Sequence, residues 1–328
     1  MDAIEMASGA KLLVTTDERG HVTQIHLPDG SDLRYTYEGK RLTSFTDQNG
    51  YITRYEYDEK GRMTAWRDGL GVNQVQNTYD EKDRVTFQKD GLNGDYKLEY
   101  HDDNTIVTDA MGNTSEIWFD SLHRTIREVN ALDSTIEYFY DEANNLVGTT
   151  DADGKLLSSV YDERGNQLKN ILPDGSMGTK TYDKDDNLLS YTDANGNTIS
   201  YTYDAHGNLL TATDALENVT SYAYNERGQV TSVKDALGGM TVYRYQGANV
   251  VQVTSANRIV TAYAYDTAGR LVRTTDPMGN VISYAYDACG NVLSVRLPNG
   301  AQTRYAYDAV RNCVLMTDAL GNETRYKI

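Results

Sequence analysis

The residues with most to offer a reaction here are carboxylates, because the chain carries 48 Asp and Glu against 31 Lys and Arg. Two runs, Asp151-Ala152-Asp153-Gly154 and Asp183-Lys184-Asp185-Asp186-Asn187, look like fragments of calcium loops. A complete loop needs roughly six oxygen ligands at set spacing, closing on a bidentate acid. Neither run completes that set. No pair of acids is set apart for acid–base work. The histidines, His21, His26, His101, His123 and His206, show neither metal-ligand nor triad spacing. The two cysteines, Cys289 and Cys313, occupy different slots of neighbouring repeats and are expected as free thiols. A Gly-Lys-Ser/Thr phosphate loop is absent. The expectation is therefore no enzyme: no catalytic residue, no cofactor and no metal site. What remains is binding chemistry. Trp66 and Trp118 could stack a sugar ring if exposed, but burial in a sheet layer is the expected fate.

The formal charge of −17 makes bulk attraction to nucleic acid or anionic lipid unfavourable, so neither is expected as a partner. Met1 to Leu13 include Asp2 and Glu5 and lack a basic start followed by an apolar run, so no signal segment is expected. No stretch approaches the ~18 apolar residues of a membrane helix, and no membrane insertion is expected. The fragment itself reads as soluble and as cut from a longer polypeptide, its last unit truncated at Ile328.

Stepping outward to the elements, one period dominates. An aromatic followed by an acid or a relative recurs at Tyr37, Tyr57, Tyr79, Tyr100, Phe119, Tyr140, Tyr161, Tyr182, Tyr203, Tyr224, Tyr245, Tyr265, Tyr286 and Tyr307. Most steps are 21 residues; the exceptions are 19, 20 and 22. A weaker unit precedes them at Thr16-Asp17. In the unit Tyr182–Tyr203, two runs of about six β-formers alternate with two clusters of turn residues, which is strand, turn, strand, turn. No segment has helical length or period.

The turns test this reading. Four residues after each aromatic from Tyr57 onward stand Gly61, Asp83, Asn104, His123, Asn144, Gly165, Asp186, Gly207, Gly228, Asn249, Gly269, Gly290 and Arg311. All but two are types that accept positive φ cheaply. The second turn ends at Gly30, Gly50, Gly71, Gly94, Gly112, Gly154, Gly175, Gly196, Gly238, Gly279, Gly300 and Gly321, with Asp133, Glu217 and Arg258 as exceptions. The Asp opening many turns can accept hydrogen bonds from amides just after it. Strand alternation puts pairs such as Tyr201 and Tyr203 on one face. Stacked units are then expected to bring like tyrosines together as a row of offset-stacked rings. The residues expected to carry the repeat structurally are Tyr57, Asp58, Gly61, Tyr140, Asp141, Tyr161, Asp162, Gly165, Tyr203, Asp204, Gly207, Tyr224, Gly228, Tyr265, Asp266, Gly269, Tyr286, Asp287, Gly290, Tyr307 and Asp308.

With Tyr-Asp-x-x-Gly-Asn-Leu-Leu, Thr-Asp-Ala-x-Gly-Asn and Tyr-x-Tyr-Asp almost whole at Tyr203–Tyr224, the chain resembles the Rhs/YD-repeat family over residues 16–326. The resemblance implies a β-strip wound as a spiral, forming a hollow shell around a toxic C-terminal segment or a teneurin-like barrel. The family's core motif is not in this chain, so self-cleavage and a warhead are carried over to no residue. Fifteen two-stranded units at about 4.8 Å per strand make a strip on the order of 140 Å, about one turn of wall.

The expected fold is thus all-β: about fifteen hairpin repeats in a continuous curved antiparallel sheet, a single array over 1–328. The expected function is a non-catalytic shell segment that encloses or presents a toxin or effector. Its partners would be the remainder of the parent polypeptide, shell and C-terminal cargo, and the parent would be exported, secreted or at the cell surface. Two alternatives stand beside it. One is a surface adhesion module binding glycans or cell-surface proteins. The other is a seven-bladed propeller scaffold, since two hairpins make a four-stranded blade.

Overall fold

The structure, a computed structural model, describes residues 2–5 and 11–327. Met1 and Ile328, the expected start and cut end of the array, lie outside the described residues. Thirty-two strands and no helix are present among the described residues, and the pairing throughout is antiparallel. None of these elements is a helix long and apolar enough to cross a membrane. The chain divides into two compact units, one of Met1–Asn93 with Val242–Ile328 and one of Gly94–Thr241.

In the second unit, strands run from Asp95–Tyr100 to Val230–Lys234, each paired to its chain neighbours. A propeller breaks its hydrogen-bond ladder after every fourth strand. Here fourteen strands pair without a break, which overturns the propeller expectation. The first unit holds two such runs, Asp2–Glu5 to Val85–Asp90, and one reaching Glu323–Arg325.

The repeat is written into the turns. Asp204 is a representative opener. Its Oδ1 accepts the amide N–H of His206 (2.8 Å) and of Asn208 (2.9 Å), and its Oδ2 accepts Asn208 Nδ2–H at 2.9 Å. The Asn208 side chain and backbone amides hold the Asp204 carboxyl below its ordinary pKa, against a smaller opposing effect of desolvation. Four residues are closed in this way with the last one left-handed, Gly207 at φ 80°. The same conformation is forced on residues that dislike it: His123, Glu217, Arg258 and Arg311 all have φ between 60° and 70°. The cost of those side chains is borne by the surrounding ladder.

Three positions depart from expectation. Asn93, at φ 67°, takes the left-handed place expected of Gly94. Asn104 and Asn249 instead begin strands, because their turns are short. The departures account for the irregular steps. A two-residue reversal at Gly39-Lys40 and another at Gly247-Ala248 make the 20-residue steps. The short turn His101–Asp103, joined by an unbulged register, makes the 19-residue step. An extra residue opposite Trp66 and Arg67, at Gln74, makes the step of 22.

Each standard repeat also carries a bulge at its second tyrosine. Thr202 faces Thr211 while Tyr203 faces Leu209, so Leu210 is extra. The doubled apolar residues after the turn (Leu209-Leu210, Leu188-Leu189) are the sequence trace of this bulge. Tyrosines of like slot, such as Tyr203 and Tyr224, are not stacked in file, contrary to expectation. A repeat contributes two strands, so like slots lie about 9.6 Å apart, beyond ring-stacking reach. The hydroxyl of the second tyrosine instead donates to a backbone carbonyl fifteen residues earlier in many repeats: Tyr140 to Thr125, Tyr161 to Leu146, Tyr203 to Leu188, Tyr224 to Leu209 and Tyr307 to Val292, at 2.9–3.1 Å. Burial of the ring, with the neighbouring Tyr201 and Asp183 charges, pushes the Tyr203 hydroxyl pKa up. Where the repeat supplies an arginine, it covers the ring, as Arg62 does Tyr79 at 4.6 Å and Arg124 does Tyr140 at 4.5 Å.

Among the described residues, strands pack against their chain neighbours and no second layer covers them. Ala65 and Ala309 are the hydrophobic residues that are buried outright. Cohesion comes from the ladder, the half-buried tyrosines and the turn carboxylates rather than from a packed core.

Candidate functional site at a turn seam

The site where chemistry converges lies in the first unit, where two turn edges meet. Turns of one kind follow the second tyrosine of a repeat; call them first turns. Those at the other ends of the strands are second turns. Three second turns, at 27–30, 47–50 and 68–71, receive three first turns, at 266–269, 287–290 and 308–311. Thr267 Oγ1–H donates to Pro28 O at 3.4 Å, and Arg270 reaches Asp29 at 3.8 Å. Asn49 Nδ2–H donates to Asp287 Oδ2 at 3.2 Å across 238 residues. The Cys289 thiol donates to Asp47 Oδ2 and Gln48 Oε1, each at 3.4 Å. Burial, reinforced by the Asp47 carboxylate, pushes that thiol's pKa up. Such a thiol is a weak nucleophile.

The third contact is apolar and close. A Cβ placed on Gly69 would stand 2.9 Å from Tyr51 Cβ and 3.3 Å from Ala309 Cβ. Most second turns have Ala or Pro at this position, for example Ala194, Ala215 and Pro277. Gly69 fits there because Tyr51 and, across the seam, Ala309 both come so near. Asp47 and Asp68 are buried at 8 % and 5 % exposure, yet both are satisfied. Asp47 Oδ1 accepts the amides of Asn49 and Tyr51, and Asp68 Oδ1 those of Leu70 and Val72. The inserted Gln74 donates to Asp68 Oδ2. A cleft of about 460 Å³ opens beside this contact, lined by Phe45, Tyr51, Trp66, Gln74, Arg311 and Asn312 among others.

The residues expected from sequence fall in three groups. Asp266, Gly269, Tyr286, Asp287, Gly290, Tyr307 and Asp308 belong to the seam turns or their flanking strands, with Tyr265 leading in. Tyr57, Asp58 and Gly61 stand in the first unit away from it. Tyr140, Asp141, Tyr161, Asp162, Gly165, Tyr203, Asp204, Gly207, Tyr224 and Gly228 build separate turns of the second unit and are not gathered at one point. Trp66 is half-buried in the cleft wall; Trp118 is half-buried, its Nε1–H donating to Glu116 Oε2 at 3.0 Å beneath Arg127. The calcium-like runs are turns of the Asp204 type, with Asp151 and Asp183 bonded to their own backbone amides. No cluster of three metal-capable side chains occurs among the described residues.

Sequence reasoning missed Asp29, Asp47, Asn49, Gly69 and Ala309. A signal was present. Many first turns away from the seam carry Glu at their second position, as at Glu59, Glu81, Glu142, Glu163 and Glu226, though Ser121, Lys184 and Ala205 do not; the three seam turns all lack it, with Thr267, Ala288 and Ala309. A small residue in that slot leaves room for a neighbour without by itself showing that one arrives.

The fold and this seam define an antiparallel YD-type repeat array whose turn edges interlock. Residues 176–328 match the family model described as Teneurin YD-shell, and residues 38–72 and 119–156 match the RHS Repeat model. Both matches bear out the resemblance to the Rhs/YD-repeat family. No curated protein matches it. Among solved structures it is similar to TcdB2-TccC3-Cdc42, at 15% identity and a TM-score of 0.76, covering 96% of this chain and 20% of that one. It is also similar to the Photorhabdus luminescens Tc holotoxin pore with the TccC3-D651A mutation, at 16% identity and a TM-score of 0.62, covering 97% and 21%. The likeness is one of fold, and the chain spans about a fifth of the length of these solved chains.

Proposed function

We propose that residues 1–328 form a single, non-catalytic YD-repeat array, a stretch of Rhs-type shell wall that encloses or presents a toxin or effector segment. Its partners are then the rest of the parent polypeptide, and the parent is exported or displayed at the cell surface. The observation that carries this reading is the seam: turn edges 238–242 residues apart meet through specific bonds and a glycine-for-alanine fit. A wall must close along its edges, whereas a scaffold for a small ligand has no need to. The tyrosine, aspartate and glycine of each repeat hold the wall together and act on no substrate. In the longer polypeptide, protease should leave an enclosed segment intact and cut it once the seam is opened by Ala309→Glu. Equal cleavage in both forms rejects the reading.

A second reading has one observation in its favour, the cleft that brings Phe45, Tyr51 and Trp66 beside amide and guanidinium groups. Aromatic faces with polar neighbours suit a sugar ring. On this reading the array is an adhesion surface, and a glycan array should give binding that Trp66→Ala removes.

A further inference from the structure

In an array whose slots recur about every 21 residues, a ligand site is expected where several slots break the pattern together. The cleft of about 460 Å³ in the first unit is such a place. Its volume lies within the roughly 300–1,000 Å³ of small-ligand sites. The position two residues before a second turn is aliphatic in many repeats, as at Val107, Val233, Val253 and Val295; at the cleft it is Phe45 and Trp66. The position after a second turn often holds an asparagine that caps the turn's own aspartate. Asn197 Nδ2–H donates in this way to Asp193 Oδ2, and Asn218 Nδ2–H to Asp214 Oδ2. The turns 47–50 and 68–71 have Tyr51 and Val72 there instead. Asp47 and Asp68 then take their last bonds from the Cys289 thiol and from Gln74. The left-handed position of a first turn is mostly glycine, asparagine or aspartate; at the cleft it is Arg311, exposed and at φ 70°.

We propose that this cleft takes a sugar ring bearing a carboxylate, with Tyr51 and Trp66 against the ring and Arg311 on the carboxylate. The proposal rests on the sugar-binding reading of the cleft and adds the charge of the ligand. Flat aromatic faces account for the ring. The sign of the charge follows from which groups of the cleft are already engaged. Asp47 and Asp68 each accept two backbone amides on Oδ1 and a further donor on Oδ2. Asn312 is tied to Asp308 Oδ2. Other first-turn arginines, such as Arg62 and Arg270, are bonded to aspartates of their own turns. The Arg311 guanidinium has neither an ion pair nor a hydrogen bond among the described residues. A guanidinium with its fork open matches a carboxylate through two parallel N–H bonds. The turn itself gives no reason for arginine here, since glycine holds the same backbone without strain.

The test uses the whole chain with Trp118→Phe, which leaves Trp66 as the single tryptophan, and follows its fluorescence. Saturation-transfer NMR repeats each titration without relying on Trp66. The probes are methyl β-glucuronide, methyl β-glucoside and methyl β-glucosaminide, which share a pyranose ring and differ in charge. The glucuronide should bind about tenfold more tightly than the glucoside. Arg311→Gly should abolish that preference and leave the glucoside affinity unchanged. This variant restores the residue that most first turns hold there, so its urea midpoint should not fall. Equal affinity for glucuronide and glucoside, or a preference that survives Arg311→Gly, overturns the proposal and leaves the sugar reading standing. Tightest binding of the glucosaminide overturns the assigned charge. Silence with all three probes in both measurements rejects the sugar reading itself, and the proposal with it.

Discussion

The turns Asp162–Gly165 and Asp287–Gly290 share one backbone and have different neighbours. In both, the opening aspartate takes the amide hydrogen bonds of the residues that follow, and the closing glycine is left-handed, at φ 87° and 88°. Between those ends, the first turn has Glu163-Arg164 and the second has Ala288-Cys289. Arg164 spans to the next repeat, bonding Asp183 O at 2.9 Å and Asp186 at 2.9 Å. Cys289 instead points at Asp47 and Gln48 of a strand pair far back in the chain. The ends of the motif make the turn, and the middle decides whether it faces solvent or another edge.

The sharpest way to break this comparison is to move a charge between the two kinds of turn. Ala309→Glu buries a carboxylate against Gly69 and near Asp68, and should cost about 2–3 kcal/mol in urea unfolding. Ala205→Glu, the same slot in a turn of the second unit, should stay within about 0.5 kcal/mol. Similar losses in the two variants would erase the distinction. Next in size is Gly69→Ala. The new methyl presses on Tyr51 and Ala309, and overpacking of this kind costs about 1–3 kcal/mol. The reverse change Ala215→Gly in a second turn of the other unit should cost less than about 1 kcal/mol.

Tyr203→Phe and Tyr286→Phe should each lose about 1 kcal/mol, because each removes one hydroxyl-to-carbonyl bond, to Leu188 O and Leu271 O. Equal losses in the two units would show that the tyrosine row is indifferent to the seam. The smallest contrast is in pH. Side-chain and backbone amide bonds lower the pKa of Asp204 in the second unit; in Asp287 at the seam, partial burial opposes that lowering and does not reverse it. A carboxyl lowered in the fold stabilises while ionised. The contribution is complete above the unfolded value of about 4 and drains as pH falls through the folded one. Stability should be flat from neutral pH to about 5 and fall below about 4. A fall that began near neutrality would point to histidine instead.

Much of the fold was legible because each repeat states its own geometry. The left-handed turn residue, the aspartate four positions before the Asn, and the alternating aromatics are local demands, and even Glu217 and Arg258 obey the conformation their slot imposes. The bulge was legible too, in Leu188-Leu189 and Leu209-Leu210, but alternation alone hid it. The stacked file of rings failed for a geometric reason, since like slots fall on every second strand. The seam was the least visible feature. Gly69 and the small residues Thr267, Ala288 and Ala309 fit it, but Ala205 shows that the same slot can be small with no neighbour, and no local rule says which turn will meet which.

The amino-acid order by itself determined the strands, the two reversals in every repeat and the hydrogen bonds that lock each aspartate to its own turn, because all of these act within a few residues. Only the tertiary structure decided that residues 47 and 289 touch. That contact depends on the twist and curvature summed over many strands, and a small change in either would bring a different pair of turns together.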